Sequence, residues 1–199
     1  MPLPLTRRSV VAAGVGLPLL QMVEARAAPA SAYRVGGFTV TPLRDGLFPL
    51  QPSMIPAADS EAGRALLAQA GLPQGGPSPE PVNAFLIRCG TRHWLLDAGC
   101  GTVFGPGFDR VTAALAAEGI GPDQIDTVWL THLHADHAGG LLTNEGRARS
   151  TRAELVVQER EAAFWSDEGA RARAPAAMAS FFDTAQAVLA AYAGRVRRV

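Results

Sequence analysis

The sequence predicts a single mixed α/β domain, and three observations lead to that prediction. A length of 199 residues is typical of one domain, and an apolar content of 48% is enough for a packed core. Segments with strand and helix patterns are interspersed, and no internal repeat is present. The chain has 18 basic and 18 acidic residues, and no basic block suggests a nucleic-acid partner. Every basic residue is arginine, which excludes lysine-based nucleophilic chemistry within these residues.

The amino-terminal half predicts strands, a helix and two loops. Gly36 and Gly37 provide a turn between two short strands, and Asp59 is suited to cap a helix. A run rich in proline and glycine then separates that helix from a hairpin that turns at Gly90. The predicted order is strands over residues 33–35 and 38–43, a loop over 48–55, a helix over 60–70, a loop over 71–81, and strands over 82–89 and 93–98.

The carboxyl-terminal half predicts two further strands between helices. Residues 125–131 alternate and contain β-branched side chains, which is typical of a buried strand. The predicted order is a helix over 108–118, a turn at 122–123, strands over 125–131 and 154–157, and helices over 158–166 and 176–193.

The most informative cluster contains His132, His134, Asp136 and His137, which hold three of the four histidines in the chain. Adjacent imidazoles repel when charged and need partners when buried, so such a cluster indicates a metal site. Residues two apart on a strand point the same way, so His132 and His134 are expected to converge on one ion. Asp136 and His137 are expected to face a second ion beside the first.

The donor types point to two divalent cations. Neutral imidazole and carboxylate are ligands of zinc, which is the default, while mixed sets of this kind also suit manganese, iron or cobalt. Gly139 and Gly140 permit a tight turn into a short helix after the cluster. Asp136 is the candidate catalytic residue, because it would lie beside the water that the ions activate.

The string Thr-His-Leu-His-Ala-Asp-His-Ala-Gly-Gly at residues 131–140 resembles the H-x-H-x-D-H signature of the metallo-β-lactamase superfamily. The resemblance implies an αββα sandwich, in which two packed sheets have helices outside. It also implies that His132 and His134 bind one metal, and that Asp136 and His137 bind the other.

Asp97 can be interpreted as a turn residue at a strand end or as a carboxylate that orients a metal ligand. A matching Asp in a D-x-G turn lies beneath the metals in the superfamily, so the resemblance implies the second role. Thr131 is expected to assist through its hydroxyl. His93 is expected to be structural. Cys89 and Cys100 are expected to be free and buried, since the predicted hairpin separates them.

A narrower resemblance is to methyl parathion hydrolase and its relatives, which line the pocket over the metals with aromatic side chains. It rests on Phe104-Gly105-Pro106, residues 121–126, Phe164-Trp165 and Phe181-Phe182. Phe104, Trp165 and Phe181 lie at matching positions and are the predicted substrate pocket. The alternative for each is ordinary core packing.

These features predict a dinuclear hydrolase in which a hydroxide shared by two ions attacks an organophosphate triester or a related ester. The alternative is a lactonase for acyl-homoserine lactones, and a third possibility of another class is a non-catalytic binding protein. The expected partner is a small apolar ester, phosphotriester or lactone, with no nucleic acid and no membrane span. The resemblance suggests a homodimer.

The amino terminus resembles a twin-arginine export signal, with Arg7 and Arg8 before an apolar stretch too short to span a bilayer. We expect residues 1–27 to be this signal peptide, with a disordered tail as the alternative, and residues 28–199 to be the hydrolase domain. The expected location is periplasmic or secreted. No histidine follows His137, so we expect only the N-terminal half or slightly more of the sandwich, inactive alone.

Overall fold

A computed structural model describes residues 32–73 and 75–199 of the chain. The expected signal peptide at residues 1–27 lies outside the described residues. The strands are β1 Tyr33–Val35, β2 Phe38–Leu50, β3 Ser78–Cys89, β4 Arg92–Leu96, β5 Thr127–Trp129, β6 Glu154–Val157 and β7 Val196–Arg198. The helices are α1 Glu61–Gln69, α2 Val111–Ala117, α3 Ala135–Ala138, α4 Glu159–Trp165, α5 Glu168–Arg173 and α6 Ala179–Ala191.

The strands form one seven-stranded sheet in which neighbours in space are also neighbours in sequence. The pairs from β1 to β4 are antiparallel, whereas β4, β5, β6 and β7 are parallel to one another. Parallel strands need long crossover connections, and helices α2 to α6 lie in these connections. The mixed α/β prediction is therefore confirmed, and the carboxyl ends of β4 and β5 meet at one edge of the sheet.

The main core lies between one face of the sheet and the helices. Leu86, Leu95, Val128 and Leu155 are in register on four successive strands, and each is at most 5% exposed. They belong to one apolar cluster with side chains of the surrounding helices, including Val111, Leu115, Ala162, Phe182, Ala185 and Val188.

The opposite face of the sheet is also apolar but is less covered. Phe85, Leu96 and Trp129 are in register there, and Trp129 remains 39% exposed. The guanidinium of Arg197 lies 5.3 Å from the centroid of the Trp129 ring and covers part of it. Within the described residues only one sheet of the expected sandwich is present, and this face has the apolar character expected of a sheet that packs against another.

The two predicted loops that flank α1 are shorter in the structure than predicted. The prediction of a loop over 48–55 was wrong at its start, because β2 continues to Leu50. The loop over 71–81 ends earlier than predicted, because β3 begins at Ser78. The two extensions pair with each other beyond the rest of the sheet, where each strand has one partner and prolines can turn their missing donor outward.

Several helix boundaries also differ from the predictions. The cap of α1 is Ser60 rather than Asp59, because the Ser60 hydroxyl accepts the Gly63 N–H at 3.0 Å. The helix α5, Glu168–Arg173, was not predicted, and the helix expected over 176–193 opens with a 3-10 turn before α6. By contrast, β6 has the predicted bounds.

The segments expected as a helix over 108–118 and a strand over 125–131 are shorter in the structure, as α2 and β5. The helix α2 begins after Arg110, and a short 3-10 turn over Pro122–Gln124 begins after Gly121. In the part of the chain that the structure describes, no helix combines the length and hydropathy that crossing a bilayer requires.

Candidate metal centre

The candidate centre lies at the edge of the sheet where β4 and β5 end side by side. Leu96 pairs with Trp129 on the neighbouring parallel strand, and the Asp97 N–H donates to the Trp129 carbonyl at 2.9 Å. Asp97 therefore leaves its strand beside the start of the histidine motif. Its φ of 55° lies in the left-handed region, which residues other than glycine seldom adopt and which is often found at functional sites.

The structure brings the four predicted ligand side chains into one cluster. His132 and His134 follow β5, and their ring centroids are 4.5 Å apart. The ring of His137, in α3, lies 4.0 Å from that of His132. Asp136 Oδ2 is 3.3 Å from His137 Nε2. Whether these side chains bind metal stays a prediction.

Asp97 and Thr131 support this cluster from beneath. His137 Nδ1 lies 2.9 Å from Asp97 Oδ2 and, since a carboxylate only accepts, the Nδ1–H donates, while Nε2 of the same ring faces Asp136. The Thr131 hydroxyl donates to Asp97 at about the same distance, and its oxygen lies 3.1 Å from Nδ1 of His132. Both residues therefore contact the cluster, and that they orient metal ligands stays a prediction.

The protonation states of the cluster follow from burial and mutual charge. Burial lowers the pKa of His132, and the neighbouring histidines lower it further. Burial opposes ionisation of Asp136, but the hydrogen bond and charge of His137, the backbone N–H of Asp136 itself and the charge of His134 together outweigh burial and lower the pKa of the carboxyl. Burial also acts to lower the pKa of His137, yet hydrogen bonds to Asp136 and Asp97 prevail and raise it to about 9.

The donor chemistry of this cluster fits a divalent metal. Imidazole and carboxylate are zinc donors, and the pKa shifts of His132 and Asp136 favour the neutral and ionised forms that ligation requires. The raised pKa of His137 favours its protonated form, so an ion bound there would have to displace a proton. Across the described residues, however, no group of three or more His, Cys, Asp or Glu side chains is arranged to hold an ion. The cluster thus supplies suitable donors in close proximity without forming a complete coordination shell.

The glycine pair after the motif has a different function from the predicted one. The helical turn α3 comes before Gly139 and Gly140, not after them. A Cβ on Gly140 would lie 1.9 Å from the Ala98 carbonyl oxygen, and one on Gly139 would lie 2.2 Å from that of Cys100. The glycines are therefore required because two backbones pack directly against each other, and this contact places Asp97 beneath the histidines.

Sequence reasoning missed Asp45, which is fully buried in β2. Its carboxylate accepts backbone N–H groups from Cys100 at 2.8 Å, from Arg110 at 2.7 Å and from Val111 at 3.4 Å. These bonds fix both ends of the loop that follows Asp97. An acidic residue within a strand was the available signal, but its hydrogen-bond partners lie at least 55 positions away.

The predicted pocket residues do lie around the cluster. The ring of His134 is 5.4 Å from Trp165 and 5.3 Å from Phe181, measured between centroids. Phe104 lies 6.0 Å from Phe181, and we call Trp165, Phe181 and Phe104 together the aromatic wall. The wall continues through Phe48, at 5.7 Å from Phe104, which sequence reasoning did not include. That the wall binds substrate stays a prediction.

The remaining candidates are outside the centre. His93 is not part of the centre. Its Nδ1 lies 3.2 Å from the carbonyl oxygen of Gln124, on another part of the sheet. Cys89 and Cys100 are both free, as predicted, but only Cys100 is buried. Cys89 is half-buried and lies next to the turn of the hairpin, where it pairs with Arg92. Burial, and then the nearby carboxylate of Asp45, strongly raise the pKa of the Cys100 thiol.

Comparisons with known proteins agree with this geometry. The sequence model of the metallo-β-lactamase superfamily matches residues 77–173, which include the whole histidine motif. Ribonuclease Z of Mycobacterium avium (strain 104) is 39% identical over 70 residues, which are 34% of this chain and 22% of that protein. Ribonuclease Z of Mycolicibacterium paratuberculosis is 37% identical over a stretch of equal length.

Solved structures resemble the chain over a larger part. The hydrolase AbOPH of the β-lactamase superfamily has a TM-score of 0.75 at 28% identity, and the match covers 87% of this chain and 62% of AbOPH. AidC, a dizinc quorum-quenching lactonase, has a TM-score of 0.72 at 17% identity over 85% of this chain and 60% of AidC. The chain thus spans less than two thirds of each relative. The family model matches slightly less than half of the chain, and the similarity to AbOPH shows that the chain has the fold of metallo-β-lactamase superfamily proteins.

Proposed function

We propose that the complete protein is a dinuclear metal-dependent hydrolase of organophosphate triesters or related esters. The observation that carries this proposal is the cluster of His132, His134, Asp136 and His137, supported from beneath by Asp97. Three imidazoles and a carboxylate in contact, next to an aromatic wall, combine metal donors with an apolar binding surface.

In this proposal His132 and His134 hold one divalent ion, and Asp136 and His137 hold a second. Zinc is the expected metal, and manganese, iron or cobalt would suit the same donors. A bound pair of such ions supplies Lewis acidity and makes hydroxide available near neutral pH. Asp136 is the candidate catalytic residue, since it would border the reacting centre.

The supporting side chains have separate tasks. Asp97 accepts from Nδ1 of His137 and thereby directs Nε2 of that ring away from the sheet. Thr131 connects Asp97 to His132, so both sides of the cluster depend on one buried carboxylate. This arrangement keeps the ligand rings in fixed orientations without any contact with the substrate.

The aromatic wall favours an apolar substrate. Trp165 and Phe181 both pack edge-on against His134, and Phe104 extends the surface away from it. Aromatic walls of this kind bind aryl or acyl groups better than charged sugars or nucleotides. An aryl phosphotriester is therefore the first substrate class, and the likeness to methyl parathion hydrolase relatives noted in the sequence supports it.

A lactone is the second candidate substrate. The same wall would accept an acyl chain, and AidC was solved in complex with N-hexnoyl-L-homoserine as its product. Export through a twin-arginine signal to the periplasm or the exterior, and assembly as a homodimer, are further parts of the proposal. The expected motif at Arg7 and Arg8 supports the former.

The test is metal analysis and hydrolysis by the complete gene product. We expect about two zinc ions per chain and faster turnover of an aryl phosphotriester than of an acyl-homoserine lactone. His134→Ala and Asp136→Ala should each remove bound metal and activity. Fewer than one ion per chain would instead favour a non-catalytic binding protein, and a preference for the lactone would favour the second candidate. His93→Ala is the matched control and should retain both properties.

A further inference from the structure

One glutamate connects the histidine motif to the aromatic wall. Glu161 lies in α4, and a single atom of it, Oε2, accepts two hydrogen bonds from different parts of the molecule. The backbone N–H of Leu133 donates at 3.0 Å, and the indole Nε1–H of Trp165 donates at 2.9 Å. Glu161 and Trp165 are four residues apart, so they share one face of the helix.

Both donors belong directly to the proposed site. Leu133 stands between His132 and His134, and its side chain is fully buried. Trp165 is 3% exposed and packs against the ring of His134. The contacts therefore form a closed circuit. It runs from His134 along the chain to Leu133, then through Glu161 to Trp165, which packs against His134.

The backbone N–H of Leu133 has no second acceptor among the described residues. A buried donor that loses its acceptor is costly, and hydrogen bonds to a carboxylate are stronger than neutral ones. The segment between the two histidines thus depends on one side chain that lies 28 positions away.

We propose that Glu161 is a positioning residue that couples the metal-binding segment to Trp165, the buried tryptophan behind His134. It holds the backbone between His132 and His134 in place and fixes the rotation of the Trp165 ring. The distance between the metal donors and the aromatic wall is then set by one oxygen atom. This inference rests on the proposed function for its consequences, although the coupling itself is a property of the folded chain.

A simpler role for Glu161 would be to stabilise the amino terminus of α4 by its charge. Glu159 provides the matched control, because it lies in the same first turn. Its carboxylate pairs with Arg198 at 3.3 Å and has no contact with the histidine motif. If the charge alone mattered, Glu159→Ala and Glu161→Ala should behave alike.

The substitutions are Glu161→Ala, Glu161→Gln and Trp165→Phe. Glu161→Ala loses both bonds, and we expect zinc affinity to fall by about 10- to 100-fold, the range found when a group that orients ligands is removed. Glu161→Gln should restore most of the affinity, since both donors use one oxygen that an amide carbonyl can replace. Trp165→Phe keeps the Leu133 bond and should raise KM more than it weakens zinc binding.

A second measurement does not depend on metal or activity. In the metal-free protein labelled with ¹⁵N, the indole Nε1–H of Trp165, assigned with Trp165→Phe, reports its hydrogen bond. Glu161→Ala should shift this resonance and speed amide exchange at Leu133, whereas the resonances of Trp94 and Trp129 serve as internal controls. Glu159→Ala should leave all of them unchanged.

The outcomes separate the two proposals. If the unmodified protein binds no zinc, the proposed function fails, and the ¹⁵N measurements still decide on Glu161. If zinc binds but Glu161→Ala leaves zinc affinity and the Leu133 amide unchanged, the coupling is wrong even if the indole resonance moves. If Glu161→Ala does not fold, Glu161→Asp replaces it, because its shorter side chain cannot reach both donors; retention of both bonds and of affinity there would also overturn the inference.

Discussion

Two buried carboxylates, those of Asp45 and Asp97, contact the same loop but hold different groups in place. Asp45 is 0% exposed and accepts only backbone N–H groups, from Cys100, Arg110 and Val111. Asp97 is 5% exposed and accepts from the side chains of the candidate centre. Burial and hydrogen bonding are nearly equal at the two positions, so neither property identifies the functional carboxylate. The two carboxylates differ instead in the identity of their hydrogen-bond partners.

The two carboxylates act on one structural unit. The segment from Asp97 to Val111 begins beneath the histidines, passes over Asp45 and carries Phe104 of the aromatic wall. Asp45 thus fixes the shape of the segment, and Asp97 transmits that shape to the ligand rings. Removing the first should reduce stability, whereas removing the second should reduce metal binding.

The largest effect is expected for Asp45→Ala. It leaves three backbone N–H groups without their acceptor, and the free energy of unfolding should fall by about 3 kcal/mol or more. Urea unfolding of the metal-free protein measures this. Asp183→Ala is the control, because the side chain of Asp183 is 62% exposed in its pair with Arg171. A loss from Asp45→Ala as small as that of the control would contradict the role given to Asp45.

Gly99→Ala should disturb both carboxylates at once. Gly99 has a φ of +77°, and an added Cβ would lie 2.6 Å from Cγ of Asp45. Strain and overpacking together should lower the free energy of unfolding by roughly 2 kcal/mol and also weaken zinc binding. Gly121→Ala is a suitable comparison, since its Cβ would meet only Gln124 Oε1 at 3.5 Å. Equal melting temperatures for the two variants would argue against this packing.

Asp97→Ala should separate function from stability. It removes the acceptor for His137 Nδ1, and zinc affinity is expected to fall by about 10- to 100-fold. Its effect on unfolding should be smaller than that of Asp45→Ala, because it releases mainly half-exposed side chains rather than several backbone donors. Zinc titration and urea unfolding of the same samples give both values. A reversed order of the two stability losses would refute the comparison.

Thr131→Val should have the smallest effect. It removes the hydroxyl that connects Asp97 to His132 but leaves the direct bond between Asp97 and His137. Zinc affinity should fall only by a few-fold, because the hydroxyl acts on the cluster indirectly and the Thr131 backbone N–H still donates to Asp97 at 2.8 Å. Thr131→Ser, which keeps the hydroxyl, should restore it. If Thr131→Val weakened zinc binding as much as Asp97→Ala, the carboxylate could not be the principal support.

The predictions that succeeded depended on neighbouring residues. The bounds of β6 follow from a short β-branched run, and the ligand cluster follows from spacing within residues 132–137. The prediction at the start of α1 failed because Asp59 and Ser60 are both good caps, and only the hydroxyl of Ser60 is placed to accept the Gly63 N–H. The extension of β2 and β3 was missed because prolines argue against strands, yet pairing outweighed that preference.

The sequence by itself determined the mixed α/β class and the grouping of three imidazoles and one carboxylate within six positions, because side-chain chemistry and local spacing are properties of the chain. Asp97 and Thr131 were also predicted beside this cluster, whereas tertiary structure alone revealed the more distant supports. Asp45 and Glu161 act on backbone N–H groups that are 55 and 28 positions away, respectively. Hydrogen bonds of that range depend on how the sheet and helices pack, and no local pattern of residues encodes them.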